Sequence, residues 1–149
     1  MRLKQYKTPA WAERLVAQVC AEEGLYPPRV VWQKRPATLS TSGVANSGRI
    51  RITAGLDRRG CKQALLHELV HVIQGQKGWR TYGHDEEFYA KLFELGARYR
   101  VGAQYIKQKE TWYKPRGVKK GYRLYLRRKR EACCLLNHDE CTHVVCPPL

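Results

Sequence analysis

One helix-forming stretch constrains this chain more than any other. Residues 61–75, CKQALLHELVHVIQG, put Ala64, Leu65, Leu66, Val70, Val72 and Ile73 on nearly every side of a helix. A helix that is apolar all round belongs in a core, so this one is expected to be central and buried. Yet it carries His67, Glu68 and His71 in the order His-Glu-x-x-His. Burying two imidazoles and a carboxylate without partners costs on the order of several kcal/mol, and a shared metal ion removes that cost. Four residues advance a helix by ~400°, so the two imidazoles lie within ~40° of each other, one turn apart, and can grip one ion. Glu68 is ~100° round from His67, away from the ligand position and beside a water on that metal. Zinc suits imidazole donors, has no redox liability, and in catalytic sites takes three protein ligands plus water. In that setting the metal acidifies the water, and Glu68 takes its proton and passes it to a leaving amine.

The third ligand decides what kind of site this is. A metzincin continuation requires Gly at position 74 and His at 77, where this chain has Gln74 and Lys77. A gluzincin takes a glutamate from the following helix, where Glu86, Glu87 and Glu94 are available. That helix is expected from about residue 85 to about residue 99, with Phe88, Leu92, Leu95 and Tyr99 as its apolar stripe. His84 precedes Phe88 by four and so falls on the inward stripe. Glu87, Lys91, Glu94 and Arg98 fall on another face as solvated ion pairs, and Glu86 points away from the stripe. The geometry favours His84, with Glu87 as the alternative that remains open.

The flanks complete a small α+β pattern. Thr8 and Pro9 open an amphipathic helix that Gly24 ends. PRVVWQKR then reads as a strand. A hairpin follows, turning at Asn46-Ser47-Gly48 and returning with Ile50 and Ile52 on one face. Gly75 and Gly78 are expected to break the central helix. With 149 residues the chain suffices for one compact core at 1–100 and a basic, aromatic extension at 101–149, read as short strands and loops packed on that core. The expected architecture is the central helix packed under a three- to four-stranded sheet. No apolar run approaches the ~20 residues of a membrane helix, and the N-terminus lacks the apolar core of a secretory signal. A soluble, intracellular protein is expected, cytoplasmic or nucleoid-associated if the source is bacterial, with no membrane partner and a monomer favoured.

Charge points to a partner. Of a formal +15, residues 98–130 carry thirteen Lys/Arg against Glu110 alone, a net +12. Such an excess attracts polyanions, above all nucleic acid. Lys114, Arg116, Lys119, Lys120, Arg123, Arg127, Arg128, Lys129 and Arg130 are the candidate phosphate contacts. Tyr99, Tyr105, Trp112, Tyr113, Tyr122 and Tyr125 lie among them, as stacking residues for unpaired bases or as ordinary strand packing.

The motif HELVH, an eleven-residue gap, then GHDEEF resembles the SprT-like metalloproteases, which include bacterial SprT proteins and the Spartan DNA–protein crosslink proteases. The resemblance spans roughly residues 8–99, and its sharp part is 67–88. It implies a minimal zincin-like domain, zinc held by His67, His71 and His84, and Glu68 as catalytic acid and base. It also implies protein substrates on or near DNA, single-stranded DNA included. By analogy with zincins, residues 48–53, GRIRIT, are expected to pair with substrate backbone. Tyr82, Tyr113 and Arg116 are candidate stabilisers of the oxyanion.

The six cysteines cluster unevenly, four of them in the tail: Cys133, Cys134, Cys141 and Cys146, alongside His138 and His143. A second, tail-bound zinc is conceivable there, since SprT-like proteins often carry a C-terminal zinc module. No C-x-x-C pair is present, which departs from that pattern. Two rival readings follow. One is a nucleic-acid-binding module whose zinc is structural and closed by a fourth ligand. The other is a gluzincin-type regulatory peptidase that cleaves a repressor, with Glu87 on the metal.

Overall fold

The computed structural model describes residues 5–34, 43–46, 48–54, 57–80, 83–112 and 114–136. Within the chain, Met1–Gly83 and His84–Leu149 form two compact units.

The first unit holds strands β1 (Gln5–Tyr6), β2 (Arg29–Lys34), β3 (Gly43–Asn46) and β4 (Arg49–Ala54), with helices α1 (Ala10–Glu23) and α2 (Arg58–Gln76). The four strands make one sheet in the order β1-β2-β4-β3. β1 runs antiparallel to β2, β2 parallel to β4, and β3 antiparallel to β4. The expected hairpin is present, with Asn46 opposite Arg49. Strand alternation then sorts the side chains: Ile50 and Ile52 are fully buried while Arg49 and Arg51 are exposed. β4 is paired on both sides and offers no free edge. The expectation that residues 48–53 receive a substrate strand is therefore corrected. The free edge beside β4 belongs to β3, the fourth strand in the order.

α1 begins one residue later than its sequence suggests. Pro9 is the cap, and Thr8 instead donates its hydroxyl to the Val30 carbonyl, 3.2 Å away, tying the helix entrance to β2. Gly24 ends the helix in the left-handed conformation, which costs a residue without Cβ nothing. Trp11 meets Trp32 edge to face at 6.0 Å, and the Arg58 guanidinium lies 5.3 Å from the Trp11 ring centre.

α2 is the buried helix its composition demands. Leu65, Leu66, Leu69, Val70 and Ile73 are all 0% exposed, so truncating any of the leucines costs about 2–5 kcal/mol. Asp57 caps its start by accepting from the Gly60 amide at 2.7 Å. Gly75 lies inside the helix, and only Gly78, with φ 60°, marks the turn beyond it. At the far end Gln76 accepts from the Tyr26 amide and donates to its carbonyl, mimicking a strand partner. Cys20 and Cys61 are buried thiols outside any disulfide, and burial pushes the Cys20 thiol up.

The second unit is helical: α3 (Glu86–Arg98), α4 (Ala103–Glu110) and α5 (Pro115–Leu136). Asp85 caps α3 by accepting from the Phe88 amide at 2.9 Å, and Phe88, Leu92, Leu95 and Tyr99 are buried as expected. The basic extension is not strands and loops. Residues 115–136 form one helix, which corrects the reading of GYRLYLRRK as an alternating strand. Gly117 and Gly121 mislead in sequence, because an interior glycine costs a helix about 1 kcal/mol. Here they permit close approach to α3. A Cβ on Gly121 would meet the Ala90 and Glu86 backbones at 2.9 Å, and one on Gly117 the Tyr89 ring at 3.1 Å. Phe93 then packs against Tyr122 and Tyr125, with ring centres 4.9 and 6.2 Å away. Tertiary packing on an apolar face outweighs the local propensity. Among the described residues no helix is long and apolar enough to cross a membrane.

Candidate metal centre

α2 presents His67 and His71 one turn apart, with ring centres 5.2 Å from each other. His84 precedes the Asp85 cap of α3 and stacks edge to face on Phe88 at 4.7 Å, on the inward stripe as expected. One ring nitrogen from each of His67, His71 and His84 lies within 4.8 Å of the other two, so the three can share one metal ion. All three are half-buried, which keeps an approach from solvent. Glu68 is 6% exposed and is not in that group. It follows His67 directly on the same turn of α2.

Gln74 bonds both to His71 and to the backbone just before His84. Its side chain is 1% exposed. Its Nε2 donates to the Gly83 carbonyl at 2.8 Å, an oxygen that can only accept. That fixes the amide, so Oε1 faces His71 Nδ1 at 2.9 Å and must accept from it. His71 therefore carries its proton on Nδ1 and keeps Nε2 as a lone-pair donor. The same bond anchors Gly83, whose φ of 152° lies in a region nearly closed to residues with a Cβ. One side chain thus sets the tautomer of His71 and pins the backbone immediately before His84. The signal was present in sequence: a glutamine three residues after a ligand, on an otherwise apolar helix. Gln74→Ala is expected to weaken metal binding about 10- to 100-fold with the helix intact, read by competition against a chromogenic chelator.

The alternative third ligand is otherwise engaged. Glu87 accepts from Arg128 Nη2 at 2.8 Å, and Glu94 pairs with Lys91 and Arg98 at 3.1 and 2.6 Å, the solvated ion pairs expected of that face.

The nine candidate phosphate contacts all lie on α5 or just before it. Successive residues turn by ~100°, so Arg116, Lys119, Lys120, Arg123, Arg127 and Arg130 share an arc of ~100°, opposite the buried Val118 and Gly121. Lys114 precedes the helix, and by the same count Arg128 and Lys129 lie ~80° outside the two ends of the arc. Among the described residues, Arg116, Lys119, Lys120, Arg123, Lys129 and Arg130 have no carboxylate partner, while Arg128 holds Glu87 and Arg127 approaches Glu131 at 3.9 Å. The aromatics divide. Tyr99 is buried, and Tyr122 and Tyr125 pack on Phe93, with Lys107 over the Tyr122 ring. Trp112 is 94% exposed.

Of the proposed tail site, Cys133 is a half-buried free thiol on α5, and Cys134 lies on the same helix. Cys141, Cys146, His138 and His143 lie outside the described residues, as do Tyr82 and Tyr113. Arg116 is exposed on the α5 cation face. Comparison with protein-family models, curated proteins and solved structures finds no match for the chain.

Proposed function

We propose that the chain is a zinc-dependent endopeptidase of SprT-like type that acts on proteins on or near nucleic acid. The observation that carries the reading is the group of three imidazoles, with Glu68, the residue after His67, buried and outside that group. A structural site is closed by four protein ligands. Among the described residues this group has three.

His67, His71 and His84 would hold the zinc, and the donor set fits it: three imidazoles, one with its tautomer fixed by Gln74. Bound there, zinc would acidify a water and polarise a peptide carbonyl. The Glu68 carboxylate accepts the proton of the attacking water and returns it to the departing amine nitrogen. Its burial keeps bulk water from competing for that proton. An extended substrate pairs its backbone with the edge strand β3. The cation face of α5 holds phosphates, and exposed Trp112 offers a ring to an unpaired base.

The cation face taken alone also favours a nucleic-acid-binding module with a closed, structural zinc. Degradation of an unfolded protein such as casein separates the two. The peptidase reading expects cleavage that 1,10-phenanthroline stops and stoichiometric zinc restores, tested with and without single-stranded DNA. Zinc-loaded protein that cleaves nothing in either condition sinks it.

A further inference from the structure

The first unit has a positive pole of its own. Residues 24–56 contain Arg29, Lys34, Arg35, Arg49 and Arg51 and no Asp or Glu. The sheet brings three of these together. β2 and β4 are parallel with Arg29 in register with Arg49, so the two side chains leave the same face as direct neighbours. Arg51 lies two residues beyond Arg49 and leaves that face too. Strands are ~4.8 Å apart and rise ~3.3 Å per residue, so the three stems stand at intervals of ~5 and ~7 Å. All three arginines are exposed, and none has a carboxylate partner among the described residues. The opposite face carries Trp32, Ile50 and Ile52 in the core.

Like charges directly opposite each other across two strands are destabilising, and folding alone gives no reason to keep them there. Acids were available to this unit. Glu13, Glu22 and Glu23 lie on α1, and Asp57 and Glu68 at the start and middle of α2, none on the sheet. Three forked guanidinium groups on a rigid platform suit phosphate oxygens, which they bind in bidentate pairs. The patch spans about two nucleotides of one strand at 3.4 Å each.

We propose that Arg29, Arg49 and Arg51 form a second phosphate-binding face, through which nucleic acid contacts the unit that carries His67, Glu68 and His71 directly. This rests on the reading of the protein as a nucleic-acid binder, but on residues separate from α5. Phosphodiester is favoured over an acidic peptide because the chain carries two separate cationic surfaces, this one without paired acids among the described residues and α5 with only Arg127 and Arg128 paired, the pattern a continuous polyanion satisfies.

The test is the salt dependence of DNA binding by the full chain, comparing wild type with R29Q/R49Q/R51Q and with a control on α5, R116Q/K120Q/R123Q. Each phosphate contact contributes ~0.9 to the slope of log affinity against log salt on duplex DNA and ~0.7 on single strands. The sheet variant should lower the duplex slope by about 2.7. Between 50 and 200 mM salt, wild type should therefore lose about 40-fold more affinity than the variant does. Its thermal midpoint should stay level or rise, because repulsion has been relieved. An unchanged slope with the α5 control lowered overturns this proposal and leaves the nucleic-acid reading standing. Absence of DNA binding by wild type at 50 mM salt sinks both. Polyglutamate binding as tight as DNA of equal charge, lost in the sheet variant, assigns the patch to acidic protein and also overturns the proposal.

Discussion

Glu68→Gln should lower peptide-bond cleavage by about 10²- to 10⁴-fold while leaving the metal in place. The substitution keeps the shape of a side chain that is 6% exposed, and it removes only the capacity to take and return a proton. The imidazole group that can hold the ion does not include Glu68, so metal content should stay at the wild-type value. Cleavage of a fluorescent casein, read alongside metal analysis and circular dichroism, checks all three statements. A variant that cleaves at the wild-type rate would mean that another group moves the proton. A variant that loses its metal would make Glu68 a ligand.

His84→Ala should weaken zinc binding by about 100-fold or more. Structural zinc contributes ~10–16 kcal/mol over four ligands, or about 3 kcal/mol for one. Glu87→Ala should leave zinc affinity unchanged, because that carboxylate is held on an exposed surface by Arg128 at 2.8 Å. Zinc competition against a chelator, run on the two variants together, decides between the histidine and the glutamate. The reverse order of effects would move the third ligand to Glu87 and favour the gluzincin reading.

Much of this site was legible because few arrangements of its residues are physically tolerable. An all-apolar helix bearing His67, Glu68 and His71 had to be buried, and it is. The four-residue step from His84 to Phe88 put the third imidazole on the inward stripe, where the two rings stack. The ends of α3 were readable from Asp85 and Tyr99, and the hairpin from its turn residues.

Other features depend on contacts that sequence spacing does not encode. Strand order left β4 in the sheet interior, and nothing local to GRIRIT distinguishes an interior strand from an edge. α5 was hidden by Gly117 and Gly121, whose meaning depends on how closely α3 approaches. Tyr122, Leu124 and Leu126 alternate like a strand, while Val118, Tyr122 and Tyr125 repeat like a helix, and only the packing of Phe93 on the two tyrosines separates the patterns. The function of Gln74 required a hydrogen bond to a carbonyl nine residues away. The long basic run on α5 is contiguous in sequence, whereas Arg29 lies twenty residues before Arg49 and joins Arg49 and Arg51 only through the parallel pairing of β2 with β4.

The central claim is an open zinc site built from three imidazoles, and X-ray absorption at the zinc edge on the purified full chain tests it most directly. The prediction is one zinc per chain with three nitrogen ligands and one water oxygen, all at about 2.0–2.1 Å. A sulfur ligand at about 2.3 Å would close the site with a cysteine and turn the metal into a structural one, contradicting the account.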